Sequence, residues 1–355
     1  MTVQDRLFRK TAVISMAFFV LAMCAVVYFS MNKTIEISSV ADSAVNSEYT
    51  QDTKPRVELE DKTLLHFKPS ENNTEYMDIP LPPGVEPEDI VIENHYMDKE
   101  LHIILPKPRT LFYATNEIGG NHSSITDGHF IQGEKDLTLS FKVDGIYEYK
   151  SVFEDNNLYI TFLNPREVYD RIVVIDPAYG GSDVGIERND IKAKEVTLDV
   201  AMLLKTFLDE EGIKAYFTRM DDVNPSETGR VALANETKTD MYVRIEVDAK
   251  SEEGIYGVTA CYNDDFFIPG FGSVNLADAL ESELATAVKS KALGLEEADQ
   301  DAYALRHSTV PSAAVRVGCV TNKQEALLLG RGDYREKIAS GLFNGIMKAY
   351  EQMEE

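Results

Sequence analysis

The chain has 355 residues, 44% of them hydrophobic and 27% charged, enough for two ordinary domains that each bury a core. Its formal charge of -25 excludes nucleic acid as a partner, since a phosphate backbone requires a basic face, and argues against tight binding to anionic lipid headgroups. Three cysteines are too few for a disulfide framework: Cys24 lies in an apolar run, while Cys261 and Cys319 sit in strand-like segments and read as small buried hydrophobes, with a bridge between them left open.

Residues 1–10 form a basic tail carrying Arg6, Arg9 and Lys10, followed by an uncharged stretch from Thr11 to Met31. A bilayer-spanning helix needs about 20 apolar residues, so residues 11–31 are predicted to be a transmembrane anchor. The cationic flank stays in the cytoplasm, which places everything after Met31 outside, at the outer side of the cell membrane. A cleaved leader is the rival reading, because Ala41, Ser43 and Ala44 are small, although the apolar core of a leader is normally shorter. Lipidation at Cys24 is not expected, since Met23 stands where a small residue is required. Residues 32–54 are polar and lack an apolar period, as in a flexible stalk.

Residues 55–166 are predicted to be a β-rich module. Asp89–Ile92 and Leu101–Leu105 flank a hairpin turn at Met97–Glu100, and Leu137–Phe141 and Leu158–Phe162 alternate at period two. Short strands broken by Gly, Pro and Asn point to a small sandwich or barrel. His66, His95, His102, His122 and His129 fall here, and their spacing does not resemble a closed metal site. The module reads as a binding or spacer unit.

Residues 171–350 change period. Ile172–Ile175 is a continuous apolar run, as a buried parallel strand would be. Val200, Leu203, Leu204, Phe207 and Leu208 recur at helical spacing before Gly212 stops the helix. Strands at Ala215–Phe217, Met241–Val247, Val258–Tyr262 and Ala313–Val320 alternate with helices at Arg230–Asn235 and Leu276–Lys289 and with helical sequence to the C-terminus. The fold class is α/β: a mostly parallel twisted sheet with helices on both faces, preceded by the β-rich module and one N-terminal membrane helix. Function is expected at the carboxyl ends of the strands.

Those ends carry a recognisable vocabulary. Val173 to Gly185 reads VVIDPAYGGSDVG, and is followed by Lys194–Leu198, by Thr218-Arg219 with Asp222-Val223, and by Arg230–Asn235. Later come Leu305-Arg306, Pro311, and Gly318 with Thr321-Asn322. This succession resembles the zinc-dependent N-acetylmuramoyl-L-alanine amidases, cell-wall hydrolases whose first motif reads Ile-Asp-Pro-Gly-His-Gly-Gly. The resemblance implies a Zn²⁺ held by two His and one Glu, with a second Glu as general base. Carried over position by position, the first His is Tyr179, the Glu is Ala193, the second His is Glu246, and the base is Arg316. All four positions are substituted. No zinc and no other cofactor is expected, and an enzyme is not the favoured reading.

Residual binding roles fall to Asp176, Asp183, Glu195 and Asp248; the structural reading of Asp176 and Asp183 is that they hold the Gly180-Gly181 turn, and of Glu195 that it is solvated. Tyr179 is expected to fill vacated space, His307 to be a surface side chain, and Glu246 with Arg316 to form an ion pair that plugs the old site. The apolar N-terminal run and the resemblance with its four substituted positions together lead to the expectation of a membrane-anchored, catalytically inactive amidase-family protein that binds peptidoglycan or a cell-wall enzyme. The alternatives are an active hydrolase using rearranged residues or a hard ion on Glu195, Glu246, Asp176 and Asp248, and an interaction protein working through the β-rich module.

Overall fold

The computed structural model describes residues 63–354 apart from 72, 107–109 and 265–267, together with two short strands, Ile35–Glu36 and Val40–Asp42. The Thr11–Met31 run lies outside the described residues, as do the basic tail and most of the expected stalk. Among the described residues no helix is long and apolar enough to cross a membrane. Within the expected stalk, Ile35–Glu36 pairs antiparallel with Glu148–Glu154 and Val40–Asp42 pairs parallel with Val91–His95. These segments are strand rather than free stalk. Backbone pairing needs no apolar period, which is why their sequence does not announce it.

The β-rich part consists of two sheets around one core. The first orders Ile35–Glu36, Glu148–Glu154, Asn157–Leu163, Tyr76–Pro80 and Gly119–Gly120. The second orders Val40–Asp42, Val91–His95, Glu100–Pro106, Asp136–Val143, Ile125–Gln132 and Thr63–Leu64. Period-two alternation turns Leu101, Ile103 and Leu105 inward along one strand, where with Ile92, Leu139 and Phe141 they meet Met77, Ile79, Leu158 and Ile160 of the facing sheet. The hairpin from Val91–His95 to Glu100–Pro106 closes through residues 96–99, with Lys99 in the left-handed region at φ 54°.

The α/β part is built on a six-stranded sheet ordered Lys214–Phe217, Ile172–Pro177, Met241–Asp248, Ser312–Cys319, Val258–Tyr262, Ala292–Glu297. Neighbours are parallel except where Val258–Tyr262 runs antiparallel to Ser312–Cys319, so the sheet is mixed at one junction. Ile172 to Ile175 are all fully buried, as the unbroken apolar run requires, and each such side chain contributes about 1.5–3 kcal/mol relative to exposure. Helices Ala193–Glu210, Ser273–Val288 and Gly332–Glu354 pack as one group. Gly341 and Gly345 let the last helix close on Leu284 and Leu280, where an added Cβ would come within 2.8 Å of backbone. Helices Glu227–Thr237 and Tyr303–His307 form a second group. Cys261 and Cys319 are both free and buried.

The two parts touch through the hairpin tip. Tyr96 is 2% exposed; its hydroxyl donates to the Phe217 carbonyl at 2.9 Å and accepts from the Phe217 N–H at 3.0 Å. Lys99 reaches Glu236 at 2.8 Å, and Glu148 meets Lys214 at 2.9 Å.

Candidate functional site

The first strand delivers Asp176 to the middle of the sheet, fully buried. Its carboxylate accepts from Thr218, Tyr242 and Arg230, and from Arg244 Nη1 at 2.7 Å. Burial alone would raise this carboxyl, but Arg230 and Arg244 hold it well below the usual carboxylate range. Arg230 is placed by helix Glu227–Thr237, whose N-cap Ser226 accepts from the Gly229 N–H. Its guanidinium is satisfied inside the protein, donating also to the carbonyls of Pro225 at 3.1 Å and Tyr179 at 3.1 Å, and to Asn224 at 2.9 Å. Asp176 is therefore not available to a ligand, nor does it hold the glycine turn. The expected binding and turn-holding roles are both corrected, because two distant arginines claim both oxygens.

The turn after this strand is held by other groups. Tyr179 (φ 67°) and Gly181 (φ 54°) are left-handed, and the Gly181 N–H donates to Asp222 at 2.9 Å. Lys194 ties the Gly181 carbonyl and Asp222 together, both at 2.7 Å. The Asp183 side chain accepts from the Gly185 N–H at 2.9 Å, while Gly180 is tied to Asp183 through backbone bonds in both directions, so the expected side-chain hold on the Gly180-Gly181 turn falls on Gly185 instead. A Cβ on Gly185 would meet the Tyr179 ring at 2.6 Å, so this glycine makes the seat for the tyrosine. Arg219, fully buried beneath, donates to the carbonyls of Pro177, Ala178 and Lys194.

An open cavity of about 270 Å³ has Glu227, Arg244, Glu246, Cys261, Asp299 and Arg316 on its wall. Glu246 and Arg316 stand opposite each other in register on adjacent parallel strands, with a bulge immediately beyond. Arg316 Nε is 3.6 Å from Glu246, while its Nη1 and Nη2 reach Glu296 at 2.7 Å and Asp299 at 3.5 Å. Glu246 in turn accepts from Arg244 Nε at 2.9 Å. The expected pair between Glu246 and Arg316 is present, and the cavity beside it is lined by neither Tyr179 nor Ala193. Arg316 turns toward Glu296, and the cavity stays open.

Burial, aided by Glu246, pushes the Tyr179 phenol up to about 12. Burial likewise pushes the Cys261 thiol up to about 11, against the pull of Arg316. Neither is a nucleophile at neutral pH. Burial would lower the Arg316 guanidinium, but Cys261, Glu246 and neighbouring carboxylates raise it, so it remains a fixed cation.

Of the remaining expected residues, Ala193 is fully buried at the start of its helix and offers no donor side chain. Glu195 is exposed and pairs with Lys192 at 3.4 Å. Asp248 caps the Ala249 N–H at 2.7 Å and pairs with Lys250 at 3.0 Å. His307 stacks on Tyr303 at 3.9 Å. The carboxylates suggested for a hard ion are thus engaged separately. Sequence reasoning missed Arg244, Glu296 and Asp299. Arg244 sits two residues before Glu246 on the same strand face, a signal available from period two alone. The other two lie on or just past a strand that was not anticipated.

Among the described residues, the one group of three His, Cys, Asp or Glu side chains with convergent donors is Glu93, His95 and His102, on the β-rich part and away from this cavity. The spacing of the histidines along the chain concealed it.

Residues 173–348 match the family described as N-acetylmuramoyl-L-alanine amidase. The uncharacterized protein YqiI of Bacillus subtilis is 30% identical over 182 residues, 51% of this chain and 86% of that protein. The germination-specific N-acetylmuramoyl-L-alanine amidase of the same organism is 26% identical over 220 residues, 58% of this chain and 90% of that enzyme. The crystal structure of an N-acetylmuramoyl-L-alanine amidase from Clostridium difficile 630 overlays with a TM-score of 0.48 at 26% identity, over 51% of this chain and 97% of that one. Through its α/β part, the chain belongs to the N-acetylmuramoyl-L-alanine amidase family.

Proposed function

We propose that the α/β part is a non-catalytic amidase-family domain that binds peptidoglycan in the Arg316 cavity and so acts in cell-wall binding or the regulation of its remodelling. The observation that carries this reading is the side-chain set at the four family positions. A phenol held protonated at Tyr179, a methyl at Ala193, a carboxylate at Glu246 already engaged by Arg244, and a guanidinium at Arg316 fit Zn²⁺ poorly. A fixed cation facing the position would repel a divalent ion rather than hold it.

What remains suits recognition. The cavity wall presents guanidinium and carboxylate groups side by side, a pattern that matches a peptide carrying both signs. The Thr11–Met31 run is proposed to anchor the chain with this domain outside the cytoplasm, on the strength of its length and its basic flank.

The test uses the full chain with purified sacculi. Cosedimentation is expected for the native protein and is expected to weaken in Arg316→Ala. Chromatography of the supernatant is expected to show no released stem peptides, with or without added Zn²⁺. Release above the buffer blank that disappears in Glu246→Gln would overturn the reading. Protease protection of residues 1–10 in intact cells tests the orientation.

A further inference from the structure

On the outer face of the β-rich part, one hairpin brings two imidazoles and two carboxylates into a square. Register places Glu93 opposite His102 and His95 opposite Glu100. Ile92, Leu101 and Ile103 turn inward, so these four side chains share the opposite face. The two rings lie 4.2 Å apart between centroids. His95 Nε2 is 2.9 Å from Glu93 Oε2, and His102 Nε2 is 3.0 Å from Glu100 Oε2. One donor atom each from Glu93, His95 and His102 falls within 4.8 Å of the others. The groups are partly shielded, with His95 16% and His102 22% exposed at the side chain.

We propose that Glu93, His95 and His102 form a binding site for a divalent transition ion of the zinc class. Neutral imidazole and carboxylate are the donors such ions prefer, at about 2.0–2.2 Å. Tetrahedral ligand atoms at those bond lengths stand about 3.3 Å apart, so side-chain rotation on a fixed backbone closes the present spacing. Glu100 is placed outside the triad because exposed Lys142 stands opposite it on the next strand. There it holds a His102 ring nitrogen, the orienting role a carboxylate takes beside a ligating histidine. The site goes beyond the reading of the Arg316 cavity and does not depend on it. Its place on the fold gives it a structural output. An ion across the two strands would stiffen the hairpin whose tip, Tyr96, is buried against Phe217.

The experiment is calorimetric titration of the full chain in detergent, first stripped with chelator, using Zn²⁺ alone and Mg²⁺ as the hard-ion control. One Zn²⁺ per chain and no heat from Mg²⁺ are expected, with a higher unfolding temperature in Zn²⁺. His95→Gln, His102→Gln and Glu93→Gln are each expected to weaken binding at least about tenfold. Glu246→Gln and His307→Gln are expected to bind as the native chain does. Three separate ligand variants, each checked by circular dichroism, guard against one that fails to fold. Absence of Zn²⁺ binding in the native chain, or unchanged binding in folded ligand variants, would overturn the proposal. Loss of binding in Glu246→Gln with the histidine variants unaffected would move the ion to the cavity and sink the reading of that cavity as well.

Discussion

Two arginine–carboxylate clusters lie side by side in the α/β part, built from the same residue types and joined by Arg244, yet they differ in kind. Around Asp176 both oxygens are claimed by named donors and solvent is excluded. Around Arg316 the guanidinium is shared among Glu246, Glu296 and Asp299 on the wall of an open cavity. The contrast teaches that enclosure, not residue type, separates a fixed structural charge from one able to exchange its partner for a ligand. A buried pair stripped of one member leaves the other stranded, whereas one on the wall of an open cavity finds water.

The largest effect should come from breaking the closed side. Asp176→Asn is expected to destabilise the protein by about 3–5 kcal/mol, read from denaturant midpoints at neutral pH. The pH dependence has a definite sign. The folded-state pKa of Asp176 is depressed from 3.8, so its contribution is present above that value and lost as pH falls below it toward the folded value. The gap between native and Asp176→Asn midpoints should therefore hold from neutral pH to about 5 and narrow below 3.8. A gap that stayed constant through that acid range would mean the two arginines do not charge-stabilise Asp176.

Next comes Tyr96→Phe, which removes the hydroxyl serving both backbone groups of Phe217. It should cost about 1–3 kcal/mol in the same measurement, since it leaves a buried amide unpaired. A smaller stability change is expected at the open cluster: Arg316→Ala should shift stability by no more than about 1 kcal/mol while weakening sacculus binding. If it unfolded the protein as Asp176→Asn does, the distinction between the clusters would collapse. Smallest of all is Glu195→Gln, expected within about 0.5 kcal/mol and without effect on binding, because its side chain is 58% exposed.

Much of this was legible in the residues. The unbroken apolar run from Ile172 names a buried strand, and alternation at Leu101, Ile103 and Leu105 names the inner face of a sheet. The family itself was legible because its motifs follow in order along residues 173–348. What stayed hidden was long-range or at an edge. Asp176 meets arginines 54 and 68 residues away, and nothing in the glycine motif beside it indicates them. Strand Ala292–Glu297 carries Gly294 and two glutamates and is largely exposed, so it lacks the apolar signal of a central strand. The pairing of His95 with His102 depends on hairpin register, which spacing along the chain does not reveal.

The burial of Tyr96 has a practical corollary for anyone cutting this protein into pieces. Lys214–Phe217 is the outermost strand on its side of the sheet, and the phenol occupies the amide and carbonyl that Phe217 would otherwise show to solvent. Excising the amidase-like half alone would leave that margin bare, with Tyr216 and Phe217 uncovered and ready to recruit a strand from another molecule. Self-association of such a fragment would then report the missing cover rather than a native oligomer.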